Sequence, residues 1–267
     1  MNRQDWSVLL GTARYEFIMQ FRRPAIWIAF ALFSLSLLAI GIVPWNPATS
    51  ELALRSLVAN WSLSVQFFFP LAFGILLADR FPRDRRLHLD EMIDATPCRP
   101  ASRFVGKFAG TVLATLVPVA AVYSAGIVYI VIQRGEPAAI WLGLAAFATI
   151  NLPGLLFVAA FSLAVPVLLW LPLYQFLFTG YWFWGNMLPP WPSSGSVIPT
   201  LSHTPLAPFG EYMASGFFGT RQTVVAATAL QGMLSLALLL ALGSFALLAG
   251  YWCLCWQRQQ RLDGATR

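Results

Sequence analysis

Residues 138–188 read AAIWLGLAAFATINLPGLLFVAAFSLAVPVLLWLPLYQFLFTGYWFWGNML, 51 residues without one charged side chain. A helix crosses a bilayer in ~20 mainly apolar residues, so this run is too long for one crossing and suits two. Pro166 and Pro172 place the turn near 164–171, because proline disrupts a helix interior. The run therefore predicts spans at about 138–163 and 170–188. Four further apolar runs flank it, at 25–44, 57–78, 108–132 and 223–256, the last long enough to protrude or tilt.

All 28 charged side chains, 17 basic and 11 acidic, fall outside these six runs. That segregation is what lipid demands, since a charge near mid-membrane costs about 2.5–3.5 kcal/mol on insertion scales. The chain has 267 residues, 58% hydrophobic and only 10% charged, with a mean hydropathy of +0.67. Ordinary soluble domains carry about 25% charge. A water-soluble globule, a disordered chain and a disulfide scaffold are all excluded. The fold class expected is all-α: six transmembrane helices after an N-terminal amphipathic helix. Cys98, Cys253 and Cys255 form no CxxC and have no His at ligand spacing, so neither a metal site nor a disulfide framework is expected.

Orientation follows from Lys and Arg. With both termini in the cytoplasm, the inner segments hold 14 of the 17 basic residues and the outer ones only Arg55, Arg134 and Arg221. The net charge of +6 is then a mark of topology, and no nucleic-acid partner is expected. The location implied is the inner (plasma) membrane. The first apolar run begins only after 24 residues and is long enough to span, so no cleavable signal peptide is expected.

Three segments lie outside the predicted spans. Within 1–24, Trp6, Leu9, Leu10, Ala13, Phe17 and Phe21 recur at three- and four-residue steps, with Arg3, Ser7, Arg14, Gln20 and Arg22 elsewhere. This predicts a helix lying along the inner surface. Loop 79–107 reads DRFPRDRRLHLDEMIDATPCRPASRFVGK, with seven bases and five acids, and Leu87, Leu89, Met92 and Ile93 between them. A short helix at about 84–95, bounded by Pro82 and Pro97, gives a small apolar ridge with a charged rim, the pattern of a docking surface. The outer loop 189–222 is rich in Pro, Gly and Ser, and its second half is expected to dip back as short helical pieces. The aromatics Tyr181, Trp182, Phe183, Trp184 and Trp191 read as an outer interface belt.

Taken together, these parts resemble the permease subunit of a type-2 ABC transporter over essentially the whole chain. The resemblance rests on Tyr15-Glu16-Phe17 and Arg22-Arg23-Pro24 before span one, six spans, and a charged loop between spans two and three. In that loop the matching residues are Arg83 to Arg86, Asp90-Glu91, Thr96-Pro97, Arg99, Arg103 and Gly106-Lys107; the sequence departs at Leu89, where many members carry Gly. The resemblance implies a coupling helix in 79–107 that docks on a separate ATPase subunit, with Arg83, Asp84, Arg86, Asp90, Glu91 and Met92 in that role. Arg14, Phe17 and Phe21 of the N-terminal helix are secondary candidates. It also implies an exporter, half of which is one such chain, so a second permease copy or homologue is an expected partner.

The chain has no GxxxxGK[ST] sequence; its one lysine, Lys107, follows Gly106 and precedes Phe108. No cofactor and no catalytic residue are expected, and ATP would be held and hydrolysed by the partner. Polar residues inside the spans are candidates either for the translocation path or for bonds between helices: Asn60, Ser62 and Gln66 in span two, and Gln175, Thr179 and Asn186 in span five. An intramembrane hydrolase is disfavoured, since no predicted span holds His, Asp or Glu. The alternatives are a secondary transporter, disfavoured by the absence of midplane charge, and a non-transporting anchor of a signalling or assembly complex, against which the residues do not speak. The transported substrate is not legible in the residues.

Overall fold

The computed structural model describes residues 3–39, 52–80, 82–83, 99–187, 204–219 and 225–265. Among these residues there is no strand. The helices are α1 (Arg3–Phe21), α2 (Pro24–Ala39), α3 (Leu54–Leu77), α4 (Pro100–Arg134), α5 (Ala138–Ala146), α6 (Leu152–Ala164), α7 (Leu171–Met187), α8 (Glu211–Phe218) and α9 (Ala229–Ala265).

Four stretches are long and apolar enough to cross a membrane: Leu54–Leu77, Pro100–Arg134, Ala138–Val167 and Ala229–Gln260. The third of these joins α5 and α6 through a π-helical turn, Phe147–Asn151. Leu152 N–H reaches back five residues to Phe147 O, and Pro153 just beyond has no N–H to continue an α-helical ladder. The described part of α2 is 16 residues, with 40–44 of the predicted first span outside the described residues, and α7 is 17 residues long. Val165–Val167 forms a short 3-10 turn between α6 and α7.

Three helix starts differ from the sequence-based expectation by three residues or more, and α9 runs on to Ala265 rather than ending at 256. The second begins at Leu54 rather than 57. The third begins at Pro100 rather than 108, because Pro100 suits the first helical turn and Arg103 and Lys107 are carried on its early turns. It ends at Gly135, whose φ of 66° permits the left-handed cap that returns its N–H to Val131 O at 2.8 Å. The last begins at Ala229 rather than 223, since 225–228 is not helical.

Helix α3 lies at the centre. In its most apolar 18-residue window 67% of the residues are buried, close to the 72% of Ala138–Val167 and far above the 28% of α9. Phe30 of α2 stacks on Phe69 at 5.1 Å, Trp61 is fully buried against α4, and Phe178 and Trp182 of α7 close the opposite flank. Trp182 is therefore a core residue and not part of an outer aromatic belt: it is fully buried, and its Nε1 donates to Phe67 O at 2.9 Å. Phe183 beside it faces outward.

The N-terminal helix packs along the first turns of α4. Gly106 and Gly110 form a GxxxG patch there; a Cβ on Gly106 would sit 2.6 Å from Leu9 O, and one on Gly110 would strike Ala13 O. Small residues at that spacing let two helix backbones touch. The single apolar stripe expected for α1 is consequently split. Leu9 and Ala13 turn towards α4, whereas Trp6 and Leu10 remain exposed. Glu16 and Gln20, polar residues, take places on the buried face.

Candidate functional site: two buried polar clusters

The first cluster sits where α1, the end of α3 and the start of α4 converge. Glu16, Arg80 and Lys107 are 5%, 1% and 6% exposed, values that make them interior residues despite their charge. Arg80 Nη1 lies 3.5 Å from Glu16 Oε2, and Lys107 Nζ 3.9 Å from Glu16 Oε1. Lys107 Nζ also donates to Arg80 O at 3.5 Å. Charges leave water at a cost of several kcal/mol each, so such residues persist only when they compensate one another. Farther along α1, Asp5 pairs with the exposed Arg99 at 3.3 Å.

Arg80 and Lys107 stand at the two ends of the charged loop 79–107. Glu16 thus draws the loop's two ends to one helix. None of the three was among the docking residues expected from the sequence. A signal existed: Glu16 is the only acid between Asp5 and Glu51, set in a mostly apolar helix.

Of the expected docking residues, Arg83 is described. It is half-buried, and its N–H bonds to Asp79 O at 3.0 Å. Asp84, Arg86, Asp90, Glu91 and Met92 lie outside the described residues. On α1, Arg14 is exposed, and Phe17 and Phe21 are half-buried and stacked, with centroids 5.5 Å apart. Phe21 then meets the edge of Trp27 at 4.9 Å, fixing the corner between α1 and α2. Trp27 Nε1 strengthens that corner by donating to Phe21 O at 2.8 Å.

The second cluster lies midway along α3 and is uncharged. Asn151, in the π turn, donates through Nδ2 to Ser62 O at 2.9 Å, and the same nitrogen is 3.5 Å from Gln66 Oε1. Gln66 Nε2 donates to Pro208 O at 2.9 Å. Ser62 Oγ and Tyr123 OH are 3.0 Å apart, and Tyr123 OH donates to Gly143 O at 2.8 Å. Trp61 Nε1 donates to Tyr123 O at 3.0 Å. Gly154 makes the close approach possible, because a Cβ there would strike both Gln66 Nε2 and, at 2.5 Å, Pro208 O.

Of the residues singled out inside the spans, Ser62 and Gln66 come together in this cluster, both fully buried, and bond between elements. Asn60 is buried nearby. Gln175 is half-buried and donates to Ile75 O at 3.3 Å, and Thr179 is half-buried one turn on. The side chain of Asn186 lies outside the description. Asn151 and Tyr123, which tie the cluster to α4 and the π turn, were not singled out from the sequence. Asn151 is the one Asn, Asp, Gln or Glu in the run 138–174, and that isolation could have marked it.

Residues 204–219 fold in against α3 and α9. Ser235 Oγ on α9 donates to Pro205 O at 2.8 Å, and Ala227 N donates to Ser215 Oγ at 3.0 Å. Phe218 reaches the N-terminal end of α3, where a cavity of about 520 Å³ opens between Ala53, Leu54, Trp141, Leu142 and Phe218. This segment therefore extends from the middle of α3 to the end remote from Arg80. Among the described residues, no group of three His, Cys, Asp or Glu gathers to hold a metal ion.

A chemical reading of the two clusters is possible without any ligand. The charged one holds three chain segments at the root of a charged loop. The neutral one ties a central helix to the π turn and to segment 204–219. Neither presents a nucleophile beside a base. Comparison with protein-family models and with curated proteins gives no match.

Proposed function

We propose that this chain is the membrane subunit of an ATP-driven exporter of the type-2 ABC class, working with a separate ATPase and a second permease copy or homologue. The reading places six spans in the inner membrane with both termini in the cytoplasm, and counts α2 and α7 as spans besides the four long apolar stretches. One observation carries it: the two ends of the charged loop 79–107 are anchored to α1 through Glu16, Arg80 and Lys107. A loop that only connected two spans would need no buried ion cluster at its root. A loop that receives force from a soluble partner does, because the force must pass to the helices without being lost in a flexible joint. The same loop has Leu87, Leu89, Met92 and Ile93 set among its bases and acids, residue types that suit docking, and nucleotide chemistry is assigned to the partner because the chain has no phosphate-binding Gly-rich sequence of its own.

The test is capture of the tagged chain from membranes of its native host, followed by assay of the captured material for ATP hydrolysis. An ATPase is expected with the intact chain, and Arg86→Glu combined with Glu91→Arg should reduce its recovery about tenfold, as for loss of close charge pairs at an interface. Recovery unchanged by that pair of substitutions would remove the loop from the docking role. Labelling of Cys98 in intact cells by an impermeant thiol reagent would place the loop on the wrong side.

A further inference from the structure

Helix α3 has a proline inside it, Pro70. Proline has no N–H, so the carbonyl four residues earlier, that of Gln66, lacks its helical donor. The next carbonyl along, Phe67 O, accepts a bond from outside the helix, from Trp182 Nε1 at 2.9 Å. One turn beyond Pro70, Ile75 O accepts from Gln175 Nε2. Helix α7 thus grips α3 on either side of the break. The interrupted residue, Gln66, is also the one whose side chain holds Pro208 and faces Asn151. Leu77, the last residue of α3, lies 11 residues on, about 17 Å along the helix, and Arg80 follows three residues later. The lost bond, the Trp182 contact and the Gln66 tether coincide in one turn of a central helix, and helix bends localise at such proline sites.

We infer that Gln66 and Pro70 form a hinge that divides α3 into two levers, the C-terminal one fixed to the Glu16–Arg80–Lys107 cluster and the N-terminal one carrying segment 204–219 through the Gln66 tether. Gln66 is a positioning residue: it sets where the segment sits relative to the lever. The hinge deepens the proposed function, since it gives the loop root a route to the far end of the molecule. Its test uses the isolated full chain, so it fails or succeeds independently of whether an ATPase is captured.

Spin labels placed on Arg55→Cys and Leu76→Cys, in a background with the native cysteines changed to serine, stand about 32 Å apart on a straight helix. Pulsed dipolar spectroscopy in nanodiscs should show a broad distance distribution for the parent. Pro70→Ala restores the missing donor and should narrow the distribution to about half its width without lowering the melting temperature. The tether is read separately. Ala207 is almost fully buried, and Gln66→Leu should raise the rate of maleimide labelling of an Ala207→Cys reporter about tenfold in open membrane fragments, the size expected for losing one buried hydrogen bond. Gly154→Ala should act in the same direction. An unchanged distribution in Pro70→Ala overturns the hinge. Unchanged labelling in a folded Gln66→Leu or Gly154→Ala protein overturns the tether.

Discussion

The two polar clusters are buried to a similar degree and answer different demands. The cluster of Glu16, Arg80 and Lys107 carries full charges and lies at the ends of the apolar stretches. The cluster of Ser62, Gln66, Tyr123 and Asn151 carries none and lies well inside them. In the apolar interior of a helix bundle, neutral amides and hydroxyls can be satisfied by one or two bonds each, and such bonds are worth only about 0.6 kcal/mol on average between membrane helices. Charges need compensating partners and so collect where the chain can supply them at a helix end. Burial alone therefore does not rank these sites. The charged cluster is the costlier to disturb, and the neutral one the less costly.

That ranking can be broken by substitution. Glu16→Ala strips the shared carboxylate from two buried cations and should cost about 3–5 kcal/mol, seen as a large fall in melting temperature in detergent. Replacing all three residues with Gln, Met and Met at 16, 80 and 107 should be milder than that single change, since no charge is then stranded. If the single change proves harmless, the cluster is not the anchor described. Gly110→Leu forces α1 off α4 and should cost about 1–3 kcal/mol by overpacking, with faster proteolysis of the N-terminal helix as its signature. Asn151→Leu removes the donor to Ser62 and should cost about 1 kcal/mol, leaving the N-terminal helix as resistant to proteolysis as before. Arg99→Ala opens only the exposed pair with Asp5 and should cost under about 0.5 kcal/mol, vanishing at high salt. A reversal of order between Glu16→Ala and Asn151→Leu would overturn the distinction between the clusters.

Much of the architecture was legible in the residues. The charge-free run 138–188 announced a pair of helices with a break near Pro166, and the described helices part at 165–170. The start of α4 is not legible in the residues, because a lysine ordinarily marks the edge of an apolar run and a buried lysine beside Glu16 has no local signature. The apolar stripe of α1 was misjudged for a related reason: Gly106 and Gly110, nearly a hundred residues away, decide which face of that helix is covered. Trp182 resembled its aromatic neighbours in sequence, and only a carbonyl next to a proline break in another helix makes it a core residue.

Hydropathy is local and nearly additive, and so the order of residues suffices to give a helical chain, the positions of its apolar segments and the stretches that must stay outside them. Partnership is neither local nor additive. Gln66 meets Pro208 across 142 residues, and Glu16 gathers Arg80 and Lys107 from opposite ends of a loop. Such pairings depend on how helices pack in three dimensions, and packing alone settles which polar side chains bind the molecule together.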